Sequence, residues 1–170
     1  DMIRALERAE CAPLVRVPAN EEWLILRALE TGCAGVAVPQ ITSADAAREA
    51  VNAVRYHPQG ERGFSPFTRS AGYTAEDSDE IAEEKNESTL CMLMIEGEDG
   101  IADIDEIINI SGIDAIYIGT YDLSQSLGYL GEPTHPEVVK CVESIVEQAR
   151  EENIAVGCLA ESTSEIEQWK

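Results

Sequence analysis

Apolar positions fall into two kinds of run that alternate along the chain. Short continuous runs rich in valine and isoleucine occupy 13–17 (PLVRV), 35–39 (GVAVP), 89–96 (TLCMLMIE), 113–118 (IDAIYI) and 154–160 (IAVGCLA). Between them, apolar residues recur every three or four positions, the period of a helix with one buried face. Residues 44–55 place Ala46, Ala47, Ala50, Val51 and Val54 on one face, and 135–152 align Val138, Val142, Ile145, Val146 and Ala149. Asn20 is positioned to cap the helix in EEWLILRALET, Gly32 to end it, and Ser43 to cap the next. A polar helix is predicted over about 75–88, another over about 99–108, a short one from Asp122, and a last one at the C-terminal end. Residues 56–74, with HPQGERGFSPF, read as loop.

Strands without polar alternation are strands covered on both faces. Alternating with helices, they predict an α/β fold with a parallel sheet. Two closures fit that pattern: an open doubly wound sheet and a (β/α)8 TIM barrel. Five strands are counted, with a helix before the first. The expectation is one (β/α) domain over residues 1–170, truncated at both ends, with about three units fewer than a full barrel.

Composition narrows the partners. The chain has 170 residues, enough for one sizeable core, and a formal net charge of −21. Such a field disfavours nucleic acid and anionic membranes, and an anionic substrate would need a local cation or metal. No apolar run approaches the roughly 20 residues that span a bilayer. Five scattered cysteines without a Cys-x-x-Cys pair suit small core residues in a reduced, cytoplasmic protein.

In parallel α/β folds, chemistry gathers at the C-terminal ends of strands. The polar residues there are Arg16, Gln40, Glu96, Asp122 and Glu161. Two carboxylates with open coordination positions suit a hard divalent cation such as Mg²⁺ or Mn²⁺. The plainer reading makes Glu96 and Asp122 first-turn acids favoured by a helix dipole, and Arg16 half of an ion pair. An Arg within an apolar strand weakens the last, being costly to bury alone. His57 and His135, far apart, make a weak zinc case, and no Gly-x-Ser-x-Gly elbow or phosphate-binding glycine loop is present.

Several stretches, in this order and spacing, resemble the HpcH/HpaI family of metal-dependent aldolases: VRVP, LETGCAGVAVPQ, SADAAREAVNAVRYHPQGERG, MIEGEDGIADIDEI, SGIDAIYIGTYDLSQSLG and HPEV. The resemblance covers about residues 3–160. It implies a (β/α)8 barrel, a homo-oligomer (a hexamer), and a class II aldolase joining pyruvate, or another 2-oxo acid enolate, to an aldehyde. It implies Glu96 and Asp122 as metal ligands, Arg16 as the catalytic cation at the substrate carboxylate, and the backbone of Tyr121 against the substrate. Gly119 would let that backbone approach the ligand, and the helix after it would favour a carboxylate. Met94 stands where several members have a substrate-contacting Gln. Thr120 and Tyr121 replace the usual residues before Asp122. Glu30 falls where the family has an Asp that supports its general-base histidine. That histidine would lie about 25 residues before Arg16, ahead of residue 1. No Schiff-base lysine is expected, since Lys85, Lys140 and Lys170 are off the strands. Two other readings stay open. One is an acyl-CoA ester lyase of the citrate lyase β or malyl-CoA lyase kind. The other is a non-catalytic fragment lacking the general base.

Overall fold

A computed structural model of the chain describes residues 1–168, so Lys170 lies outside the described residues. Five strands form one parallel sheet in chain order: β1 (Leu14–Arg16), β2 (Gly35–Val38), β3 (Leu90–Ile95), β4 (Ala115–Ile118) and β5 (Ala155–Cys158). The helices are α1 (Met2–Arg8), α2 (Glu22–Glu30), α3 (Ala44–Val54), α4 (Ser78–Ser88), α5 (Glu98–Ala102), α6 (Ile104–Ile107), α7 (Thr120–Ser126), α8 (Pro136–Glu151) and α9 (Thr163–Gln168). An open doubly wound sheet reverses its strand order at a switch point. Here the order never reverses, which is how strands succeed one another around a barrel wall.

Register sorts the strand side chains into two faces, because they alternate. Val36, Val38, Cys91, Leu93, Ile95, Ile116 and Ile118 share one face and are fully buried. They form a single core with Ile25 and Leu29 of α2, Ala47, Ala50 and Val51 of α3, Ile104 and Ile107, and Val138, Val142 and Ile145 of α8. The other face carries Arg16, Ala37, Met92, Met94, Tyr117 and Gly157, paired in register across the sheet. It is less covered: Arg16 and Gly157 are exposed, Met92 and Tyr117 half-buried. Helices therefore pack on one face, and the opposite face is the one a barrel closes around.

The start of the sheet is fastened by one buried cation. Arg55, 3% exposed, donates to the carbonyls of Asn86 (2.8 Å), Thr89 (2.6 Å) and Gly112 (2.7 Å) and to Asp114 Oδ2 (2.6 Å). The same Oδ2 accepts the Cys91 N–H at 2.7 Å. One guanidinium thus ties the ends of α3 and α4 to the entries of β3 and β4. The Asn86 side chain pairs with both backbone groups of Tyr56, accepting at 2.7 Å and donating at 3.0 Å. The loop beyond is held by Arg62, stacked 4.3 Å over the Tyr56 ring and donating to Ser70 Oγ.

Ser43 caps α3 as the sequence predicts, accepting from Ala46 N at 3.1 Å, and Gly32 follows α2 with φ +81°. Asn20 does something else. Glu21 is the N-cap of α2, and Asn20 donates to the Ala46 carbonyl at 2.9 Å, tying α2 to α3. The single helix predicted over 99–108 is two short ones, broken at Asp103. That carboxylate accepts the Ala44 N–H at 2.8 Å, a second cap on α3. Arg16 is exposed rather than enclosed in an apolar strand, because β1 pairs with β2 alone among the described strands. The cysteines are all free, but Cys11 is exposed and Cys91 alone is fully buried.

Candidate functional site

At the C-terminal ends of the strands, a cavity of about 730 Å³ opens between β1, β2, β3 and α7. Arg16, Met94, Glu96 and Asp122 line it, with Pro18, Pro39, Gln40, Ile41, Thr42 and Gly97. Their convergence follows from strand periodicity. Met94 lies two residues before Glu96, on the open face, and Arg16 is on that face through its register with Ala37 and Met92. Glu96, half-buried, begins the loop after β3. Asp122, exposed, sits in the first turn of α7, which starts two residues after β4.

Glu96 is held from two sides. Its Oε2 accepts the backbone N–H of Gln40 at 2.9 Å. Gln40 adopts the left-handed conformation, φ +56°, an unusual choice for a residue other than glycine. From the other side the carboxylate rests on Gly119. A Cβ at that position would lie 2.7 Å from Glu96 Cγ and 3.1 Å from Oε1. Gly119 has φ −78°, so its lack of a side chain serves close approach and not an unusual backbone angle. Tyr117 is nearby on the same face. Burial raises its pKa first, with Cys158 and the charge of Glu96 adding to the effect. One turn along α7 from Asp122, the Ser126 hydroxyl accepts the Glu98 N–H at 3.0 Å.

The other predicted site residues lie elsewhere. Thr120 is 3% exposed and does not line the cavity. Tyr121, 42% exposed, follows it in the first turn of α7. Glu30 ends α2, which returns to the opposite end of the sheet, and it pairs there with Arg27 at 3.1 Å. The structure therefore does not bring Glu30 to the mouth that holds Glu96 and Asp122. His135 accepts from Glu137 N at the start of α8 and stacks on Tyr129 at 3.6 Å, and His57 is exposed in the loop after α3. Neither lines the cavity. Gln40 and Ser126 stand out only in three dimensions, since both act through backbone amides distant in sequence.

These residues fit a hard divalent cation. The cavity offers carboxylate oxygens, and no thiolate, imidazole or lysine lines it. Among the described residues, no three His, Cys, Asp or Glu side chains come together as a ligand set. Glu96 and Asp122 would be the protein ligands, leaving the other positions to water and to oxygens of a substrate. That is the sparse coordination Mg²⁺ commonly receives. Glu96 also keeps Oε1 outside its hydrogen bond with Gln40.

Residues 1–169 match the profile of the HpcH/HpaI aldolase/citrate lyase family. The chain is 33% identical over 156 residues to 2-dehydro-3,6-dideoxy-6-sulfogluconate aldolase of Pseudomonas putida, covering 92% of this chain and 60% of that protein. It is 32% identical over 160 residues to hydroxypyruvate/pyruvate aldolase of Roseobacter denitrificans, covering 94% and 62%. It thus spans about 60% of the length of these relatives. A solved HpcH/HpaI family protein from Burkholderia cenocepacia superposes with a TM-score of 0.90 at 30% identity, over 98% of this chain and 66% of that one. A more distant fold neighbour, a CitE protein of Mycobacterium tuberculosis (TM-score 0.54, 16% identity, over 91% and 54%), was solved with magnesium and pyruvate. The matched profile, the sequence identity and the close superposition lead to one conclusion: this chain belongs to the HpcH/HpaI aldolase/citrate lyase family.

Proposed function

We propose that the protein containing this chain is a divalent-metal-dependent aldolase that makes or breaks a carbon–carbon bond between pyruvate, or a related 2-oxo acid, and an aldehyde. The observation that carries this reading is the meeting of Glu96, Asp122 and Arg16, from three different strand ends, in one cavity. The curated relatives are aldolases, and a fold neighbour holds magnesium with pyruvate. In this reading Glu96 and Asp122 hold Mg²⁺ or Mn²⁺. The bound cation supplies Lewis-acid stabilisation of charge developing on the substrate's oxygens.

The chain's own residues do the rest. Arg16 presents a fork of donors suited to a carboxylate. Among the described residues it makes no ion pair that would compete, and it offsets locally the −21 charge that would repel an anionic substrate. Pro18, Pro39, Ile41 and Met94 give an apolar wall for the carbon that becomes nucleophilic. The Thr120 side chain is buried, so its contribution falls to the backbone of the first turn of α7, and Tyr121 is assigned a backbone contact in that same turn. In cleavage, a general base takes the 4-hydroxyl proton, the C3–C4 bond breaks, the aldehyde leaves, and the bonding pair stays on the 2-oxo acid as its enolate beside Arg16. Neither histidine of this chain lines the cavity, so that proton is assigned to neither.

Assembly as a homo-oligomer belongs to the same proposal. Phe67 and Tyr73, 81% and 65% exposed, border a second cavity at the other end of the sheet. Among the described residues, no helix is long and apolar enough to cross a membrane. The direct test of function is exchange of pyruvate methyl protons in deuterated water with added Mn²⁺, alongside cleavage of 4-hydroxy-2-oxo acids and of acyl-CoA esters. Metal-dependent exchange with oxo-acid cleavage supports the reading. Turnover of CoA thioesters alone would replace it with the ester-lyase alternative.

A further inference from the structure

We propose that Ser126 is a positioning residue that sets the separation of the two carboxylates, an inference that rests on the metal site proposed above. Asp122 and Ser126 are four residues apart on α7, hence on the same helix face. Ser126 Oγ accepts the N–H of Glu98 at 3.0 Å, two residues beyond Glu96. It also packs against the intervening glycine, 3.5 Å from where a Gly97 Cβ would stand. The segment after β3 and the helix after β4 are thus joined twice. One joint is the seat of Glu96 on Gly119 at the beginning of α7. The other is Ser126 at its end. Asp122 lies between the two joints, so α7 cannot pivot and carry it away from Glu96 while both hold. The Glu98 N–H opens α5 and has no acceptor within that helix, so Ser126 is the group that satisfies it.

The same hydrogen bond can be removed from either partner. Ser126→Ala deletes the acceptor. Glu98→Pro deletes the donor at the first helical position of α5, where proline fits. Gly97 is already extended, φ −155° and ψ 168°, as a residue before proline must be. Ser126→Thr keeps the hydroxyl. The readout is Mn²⁺ binding to the full-length protein, followed by loss of the free-ion electron paramagnetic resonance signal and independent of turnover. Ser126→Ala and Glu98→Pro should each weaken binding about tenfold, the low end of what loss of a ligand-orienting contact costs. The double variant should be no weaker than either single, and Ser126→Thr should return affinity to near wild type. Wild-type affinity in either folded single variant, even with a lowered melting temperature, would reduce Ser126 to a helix cap and overturn the inference. If one variant fails to fold, the other decides. Failure of the wild-type protein itself to bind Mn²⁺ would instead remove the metal site, and this inference with it.

Discussion

Gly119→Ala isolates the geometry of the site from the stability of the fold. The new Cβ would stand 2.7 Å from Glu96 Cγ. Carbon atoms attract from about 3.5 Å outward, so the Glu96 side chain must withdraw by roughly 0.8 Å. The backbone has no reason to resist, since φ at Gly119 is −78°. The clashing atom belongs to a flexible side chain at a cavity wall. The steric cost to the fold, apart from any disturbance of the hydrogen bond to Gln40, is therefore small, about 1 kcal/mol, the low end for overpacking. The functional cost is larger. Because the Gln40 N–H holds Glu96 from the other side at 2.9 Å, the side chain cannot shift without disturbing that hydrogen bond, an interaction with a charged acceptor worth about 1.5–3 kcal/mol. A carboxylate displaced by most of an ångström from a site shared with Asp122 should lose about tenfold to a hundredfold in cation affinity. Mn²⁺ titration and a thermal melt on the same sample read both quantities. A variant that melts several degrees lower yet binds Mn²⁺ as the wild type does would refute the reasoning, because it would show Gly119 serving the fold and not Glu96.

Gly35→Ala should do the reverse: its Cβ would meet the Leu90 carbonyl and lie 2.7 Å from Leu90 Cβ where β2 and β3 begin to pair, so the clash falls on paired backbone. A loss of about 3 kcal/mol or more in urea unfolding is expected. Arg55→Met should cost about 3 kcal/mol, since it strands three carbonyls and Asp114, whose side chain remains 43% exposed and so softens the loss. Chemical denaturation checks this, and a change under 1 kcal/mol would contradict the clamp. Burial pushes the Cys91 thiol up to about 12, leaving on the order of one thiolate in ten thousand at pH 8. In native protein a thiol reagent should label exposed Cys11 first and reach Cys91 only on unfolding, as peptide mapping after timed quenching would show.

The sheet was readable because its signal is local. Continuous Val and Ile runs mark strands, and each observed strand falls inside a predicted run, although within this chain helices cover only one face of the sheet. Ser43 and Gly32 were readable for the same reason, as chemistry within one turn of the helix end they serve. Strand order was not local, and periodicity alone left the barrel and the open sheet level. Asn20 misled, and the break at Asp103 in the helix predicted over 99–108 was missed, because each side chain spends its hydrogen bond on another helix, across 26 and 59 residues of sequence. Arg55 looked like the polar end of a helix, and only the fold gathers its carbonyl partners from three segments. At the site, strand-end position pointed to Arg16, Glu96 and Asp122 through the rule that parallel strands deliver their chemistry at one end. Glu30 was drawn in by resemblance alone, and the direction of α2 carries it to the opposite end. The Gln40 amide that holds Glu96 left no trace in the sequence, because every residue but proline has that donor.

One titration bears on the whole account: Mn²⁺ added to the full-length protein and to its Glu96→Gln and Asp122→Asn variants. The two substitutions keep side-chain size and remove one charge each from the same cavity. The account predicts one tightly bound Mn²⁺ per chain in the wild type and a loss of about a hundredfold or more in each variant. Unaltered Mn²⁺ affinity in either folded variant would contradict it, since two side chains that hold one cation cannot each be dispensable.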